Sequence, residues 1–91
     1  MARVGRRVRV IGRVQGVFFR AWTCQQAAEL GVSGWARNCC DGSVEAHLAG
    51  EEGAVVQLIG RLHEGPPSAV VSEVEVSDAE PEPGDRFQIR H

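Results

Sequence analysis

Ninety-one residues suit one domain with a modest core, and a net charge near −2 with 43% hydrophobic residues is the balance of an ordinary globular chain. No apolar run is long enough to span a bilayer, and the Arg-rich start has no apolar h-region, so neither a membrane protein nor a secretory leader is expected. The expected location is the cytoplasm.

In chain order, Arg7-Val8-Arg9-Val10-Ile11 alternates as a half-buried strand, with Val8 and Val10 inward and Arg7, Arg9 and Ile11 outward. Gly12 opens a loop, Val14 to Arg20. Ala21 to Leu30 reads as a helix, Ala-rich and free of Pro and Gly, with Cys24, Ala27 and Ala28 grouped on one side and Gly31 as its stop. Gly34 to Asn38 is a short second strand. Asp41-Gly42 marks a hairpin turn, and Ser43 to Leu48 is the return strand, with Val44, Ala46 and Leu48 inward. Gly50 to Gly53 is read as a break. Val55, Leu58, Ile59 and Leu62 then recur at helical spacing until Gly65-Pro66-Pro67 ends the second helix. Val70 to Val76 is a fourth strand, with Val74 and Val76 inward and Glu73 and Glu75 outward. Pro81 and Pro83 mark a loop, and Phe87-Gln88-Ile89 can form a last short strand.

This order, β-α-β-β-α-β plus a short terminal strand, predicts an α+β fold. The expected arrangement is a ferredoxin-like α/β sandwich with two helices on one face of an antiparallel sheet, with residues 1–91 expected to form a single domain. First and fourth strands are expected as neighbours, with Arg7 and Arg9 facing Glu73 and Glu75. First and third strands are expected to run parallel at the centre, and the second hairpins to the third.

The loop Gln15 to Phe19 joins a strand to a helix. Such a junction can aim successive backbone N–H groups at one point, and the helix N-terminus adds free donors and a positive dipole end. Phosphate is the usual occupant of such a seat. Gly16 tolerates the tight turn, and Arg20 adds a planar fork of charged donors matched to phosphate oxygens. Taken alone, a Gly and an Arg at such a junction are weak evidence, and the plainer reading is a tight turn followed by a solvated Arg. Asn38, ending the second strand, approaches the same rim. It reads either as a turn former before Asp-Gly or as an amide holding a water in line with phosphorus.

Charge is divided unevenly. Residues 1–40 carry seven Arg against one acid, and residues 41–91 carry three Arg against eleven acids. A basic half can mean nucleic acid, but in a compact domain the halves interleave and a small anion near residues 13–20 suits better. Three cysteines, Cys24, Cys39 and Cys40, make a poor disulfide framework and read as reduced thiols. His47, His63 and His91 do not complete a metal-ligand spacing, so no metal is expected.

Gly12-Arg13-Val14-Gln15-Gly16-Val17-Phe18-Phe19-Arg20, then Gly31-Val32-Ser33-Gly34-Trp35-Ala36-Arg37-Asn38, then Asp41-Gly42-Ser43-Val44-Glu45, closely resemble the acylphosphatase family. Gly65-Pro66-Pro67-Ser68-Ala69 and Phe87-Gln88-Ile89 match its later landmarks, so the resemblance covers nearly the whole chain. It implies metal-independent hydrolysis of the carboxyl-phosphate anhydride of small acylphosphates to carboxylate and phosphate, without a cofactor. It also implies that Gln15, Gly16, Val17, Phe18, Phe19 and Arg20 bind phosphate and that Arg20 and Asn38 are catalytic. The vicinal Cys39-Cys40 is unusual but breaks no motif.

The chemistry fits this inventory. An acylphosphate already carries a good leaving group, so positioning and charge stabilisation suffice. No Ser–His or Cys–His nucleophile pair can be picked out, and direct attack by a water at Asn38 is the simplest route. The rival reading is a non-catalytic nucleic-acid- or ligand-binding module of the same fold. RNA-recognition sheets present aromatics on the outward faces of their first and third strands, where this chain has Arg9, Ile11, Glu45 and His47. A second rival is a carrier module like that of hydrogenase-maturation proteins. The expected partners are therefore a small acylphosphate and phosphate, with no nucleic acid and no membrane, and the chain is expected to be a monomer.

Overall fold

A computed structural model describes residues 3–91. Its elements are β1 (Arg3–Arg13), α1 (Phe19–Leu30), β2 (Ser33–Asn38), β3 (Val44–Glu51), α2 (Glu52–Glu64), β4 (Val70–Ala79) and β5 (Phe87–Arg90). The five strands form one sheet in the order β4-β1-β3-β2-β5.

The helices and the sheet meet through residues that alternate along each strand. Val8 and Val10 of β1, Ala36 of β2, and Val44, Ala46 and Leu48 of β3 share the face under the helices, where all are buried. Val55, Leu58 and Leu62 of α2 supply the matching apolar stripe. At roughly 25 cal/mol per Å² of apolar surface removed from water, this layer is the main source of stability. Gly65, at φ 71°, donates its N–H to the Arg61 carbonyl and ends α2 ahead of Pro66.

Several expectations are corrected. β1 and β3 pair antiparallel, not parallel, with Val8 opposite Ala46 and Val10 opposite Val44. The α1 crossover returns the chain so that β2 runs with β1, and the hairpin reverses β3, which inserts between them and opposes both. The sheet is mixed and not wholly antiparallel, because β5 lies parallel to β2. The break expected at Gly50 to Gly53 is absent: β3 runs to Glu51 and α2 starts at once.

On α1 Ala27 is buried as expected, but Phe19 and Thr23 are buried with it, whereas Cys24 is half-buried and Ala28 exposed. The helix starts two residues earlier than periodicity suggests. Thr23 enters the core because its hydroxyl donates to the Phe19 carbonyl at 2.8 Å, leaving no polar group unmatched. β4 is an edge strand, so Val76 stays exposed although it opposes Val8. Arg9 does oppose Glu75, but Arg7 opposes Ser77, and their guanidiniums turn the other way. Arg7 reaches Glu45 at 3.1 Å and Arg9 reaches Asp41 at 2.8 Å.

The face opposite the helices is not open. The connection from β4 to β5 must pass from one edge of the sheet to the other, and it crosses this face. The Arg3 guanidinium donates to the Glu82 and Gly84 carbonyls, the Trp35 indole N–H donates to Glu82 Oε1, and His47 Nε2 lies 2.9 Å from the Glu80 carbonyl. His47, expected on an outward face, is consequently buried, and Glu45, expected on the same face, is buried against Arg7 and Arg37. Gly34, at φ 133°, allows the close β2–β3 approach beside Trp35, since a Cβ there would stand 1.7 Å from the His47 carbonyl oxygen.

Candidate functional site

The site begins where β1 leaves the sheet. Between Ile11 and Gly12 the register with β4 slips, with Ile11 opposite Glu73 and Gly12 opposite Val71, and such a bulge turns a strand. Val14 and Phe19 are both buried, and they pin the two ends of the intervening loop to the core. Between them Gly16 adopts φ 75° and Phe18 adopts φ 61°. Among the described residues Phe18 is the only non-glycine with positive φ. That conformation is uncommon for a bulky side chain and is held here although Phe18 is 83% exposed. The arch therefore owes its shape to its ends.

Phe18 is also the N-cap of α1. No side chain caps that end, and no acid occupies the first turn. The leading N–H groups are thus left for a ligand, at the positive end of the helix dipole. Arg20 is the second residue of α1. Its Nη1 donates to the Arg90 carbonyl at 2.8 Å, so β5 orients the guanidinium from across the cavity mouth.

Asn38 arrives from the other side, as the last residue of β2, opposite Val44. The turn beyond it is tightly bonded. Cys39 N–H donates to the Ser43 carbonyl at 2.8 Å and Gly42 N–H to the Cys39 carbonyl at 3.2 Å. Asp41 Oδ1 accepts the Ser43 hydroxyl at 2.6 Å and the Ser43 N–H at 3.0 Å. The Ser43 hydroxyl first, then its N–H, hold the Asp41 carboxyl below its usual range, with Arg9 adding to the effect.

Gln15 ties the two halves together. Its Nε2 donates to the Cys39 and Ser43 carbonyls, both at 2.8 Å.

Arg20 and Asn38 line one cavity of about 410 Å³, together with Val14, Gly16, Phe18, Phe19, Ala21, Ile89 and His91. The side chain of Gln15 is committed to the hairpin, and neither Gln15 nor Val17 is part of this lining. Arg20 is the sole permanently charged side chain in it, and no carboxylate side chain borders it. Among the described residues no three His, Cys, Asp or Glu side chains gather as metal ligands. Sequence reasoning missed the share of β5: Ile89 and His91 line the cavity and the Arg90 carbonyl holds Arg20. The alternation at Phe87-Gln88-Ile89 marks a strand, but nothing in it says which edge the strand joins.

Behind the site, on the sheet face away from the helices, Glu45 lies between Arg37, at 2.7 Å, and Arg7, at 3.1 Å. Burial pushes the Glu45 carboxyl up, but hydrogen bonds and charge from the two guanidiniums outweigh this and leave it below its ordinary value. The same contact raises Arg37. The Trp35 ring is flanked by the guanidiniums of Arg90, Arg7 and Arg37, 4.7, 5.1 and 5.7 Å from its centroid.

Residues 6–89 match the family model described as Acylphosphatase. An acylphosphatase of Rubrobacter xylanophilus is 54% identical over 92 residues, spanning 98% of this chain and 84% of that protein. One of Rhizorhabdus wittichii is 53% identical over 76 residues, covering 84% and 77% of the respective chains. Among solved structures, an acylphosphatase from Coxiella burnetii superposes with a TM-score of 0.92 at 39% identity, covering 97% of this chain and 93% of its own.

Proposed function

The chain belongs to the acylphosphatase family and hydrolyses acylphosphates, and from that premise we propose that the cavity between the residue 14–21 loop and Asn38 is where the reaction takes place. The observation that carries this assignment is the convergence of Arg20, Asn38 and an uncapped helix N-terminus on one concave surface.

In this reading the backbone N–H groups from Gln15 to Phe19 and the first turn of α1 take the phosphoryl oxygens. Arg20 adds two charged donors, preorganised by the Arg90 carbonyl. The Asn38 amide holds a water in line with phosphorus. The water oxygen forms the new P–O bond as the bond to the carboxylate oxygen breaks. The carboxylate departs with the bonding pair, and the phosphate oxygens take the proton lost from the water. A carboxylate is a stable leaving group, so no general acid is needed and positioning does most of the work. A metal, a cofactor and a covalent enzyme intermediate have no part in this scheme.

The reading further takes residues 1–91 as a single catalytic domain acting as a cytoplasmic monomer, without nucleic acid or membrane among its partners. In support, Trp35 is 5% exposed and His47 1%, so the face an RNA-recognition sheet would use offers no free aromatic platform. No helix among the described residues is long and apolar enough to cross a membrane.

The test is release of phosphate from benzoyl phosphate by the purified chain in EDTA and ¹⁸O-water. Label in the phosphate, at an undiminished rate, is the expected result. Label in benzoate would mean attack at carbon, and loss of activity in EDTA would mean a metal.

A further inference from the structure

Cys39 and Cys40 take no part in the chemistry above, yet they stand at the joint of the site. Cys39 follows Asn38 directly, and its N–H is bound to Ser43. Its carbonyl belongs to the peptide that joins the two cysteines and accepts both Gln15 Nε2 and the Gly42 N–H. One peptide unit thus links the hairpin, the anion loop and the residue holding the water. Both thiols are free, Cys40 exposed and Cys39 half-buried. Cys40, being exposed, is open to a dissolved peroxide, and its chain neighbour Cys39 supplies the second thiol.

We propose that Cys39 and Cys40 form a redox modification site, at which a peroxide closes a disulfide between the adjacent residues and switches hydrolysis off. The switch rests on the reading of the residue 14–21 loop and Asn38 as the reacting site. In the first step the Cys40 thiolate attacks a peroxide oxygen. The O–O bond breaks, an S–OH group forms, and hydroxide or an alkoxide leaves, becoming water or an alcohol with the proton that the Cys40 thiol released. In the second step the Cys39 sulfur attacks that sulfenic sulfur. The S–S bond forms and hydroxide leaves, taking the Cys39 proton as water. Two electrons pass from the thiol pair to the peroxide.

Backbone geometry couples this bond to activity. Cα atoms joined by a trans peptide lie about 3.8 Å apart, whereas disulfides usually span about 4.4–6.8 Å. The peptide is trans in the reduced chain. Closing the ring must therefore reshape the Cys39–Cys40 peptide and turn its carbonyl from Gln15. The clamp opens, and Asn38 loses its fixed place. Strain of this kind also makes the bond easy to reduce.

The experiment uses the full chain carrying Cys24→Ser, treated with hydrogen peroxide and then with dithiothreitol. Peptide mass mapping and benzoyl phosphate hydrolysis are followed in parallel. The expected result is a Cys39–Cys40 link, two hydrogens lighter, with turnover down about 100-fold, as displacement of a reacting group by an ångström can do. Dithiothreitol restores both. The same chain with Cys40→Ser matches its parent before peroxide and keeps its activity afterwards. A link with undiminished turnover overturns the proposal. So do sulfinic acids or linked dimers in place of the ring, or equal inactivation with Cys40→Ser. A chain inactive before any treatment would instead sink the hydrolytic reading, while the mass change still reports whether the ring forms.

Discussion

Arg20 is held before any substrate arrives, by one hydrogen bond from its guanidinium to the Arg90 carbonyl. A lysine at this position keeps the charge but has neither the fork that the proposed site sets against two phosphate oxygens nor the geometry of that contact. Arg20→Lys is expected to lose about 10²- to 10³-fold in kcat/KM, the usual scale for one preorganised donor. Steady-state kinetics on benzoyl phosphate with inorganic phosphate as inhibitor measure it, and a near-native variant would remove Arg20 from the site. Asn38 sits opposite and is assigned to water, not to the anion. Asn38→Ala should abolish turnover and leave the phosphate inhibition constant close to that of the parent. Its thermal unfolding should also match, because the hairpin bonds run through the backbone of Cys39, Gly42 and Ser43 and through Asp41.

Between elements, the contact that assembles the site is the side chain of Gln15. It joins a loop leaving β1 to a turn between β2 and β3, about 24 and 28 residues away along the chain. Gln15→Ala removes two hydrogen bonds to carbonyls that each keep one other donor. The expected loss of stability is about 1–2 kcal/mol by urea unfolding. Turnover should fall further than that loss explains, since the variant stays folded while the loop and Asn38 are no longer tied. If kcat were unchanged in a folded Gln15→Ala chain, the tie would be structural only. β5 has a comparable part. Four residues long, it pairs parallel with β2 and brings Ile89 to the cavity.

At the scale of the molecule, stability and pH are linked through Glu45. Its carboxyl is held below the ordinary value of 4.5 while buried between two guanidiniums. A group whose folded pKa is depressed binds its proton more readily when unfolded. Its stabilising contribution is therefore whole above about pH 4.5 and is lost as pH falls through the folded pKa. Urea unfolding from pH 3 to 7 should show stability falling below that point. Glu45→Gln should lower stability at neutral pH, because Arg7 and Arg37 lose a charged partner in a partly dry place, and should flatten the acid slope. An unchanged slope would place the acid-sensitive group elsewhere, with Asp41, also depressed, the next to test.

The sequence alone carried the element types and singled out Arg20 and Asn38, which the fold brings to one cavity. Val8 and Val10, the Asp-Gly turn, and the spacing of Val55, Leu58 and Leu62 are local signals, set by which side of a strand or helix must leave water. The motif residues of the family also sit in consecutive stretches, so Arg20 and Asn38 could be proposed for the site from their neighbours alone. Tertiary structure decided what depends on segments distant in the chain. The antiparallel β1–β3 pairing and the parallel β5 edge follow from how crossovers insert strands, which no single strand encodes. Thr23 in place of Ala28, and the burial of Glu45 and His47, depend on partners that become neighbours only when the chain closes. The Phe19 carbonyl satisfies the Thr23 hydroxyl, Arg7 and Arg37 pair with Glu45, and the crossing segment 80–86 meets His47 at the Glu80 carbonyl. A polar side chain is buried where its hydrogen bonds can be met, and that condition is a property of the assembled fold.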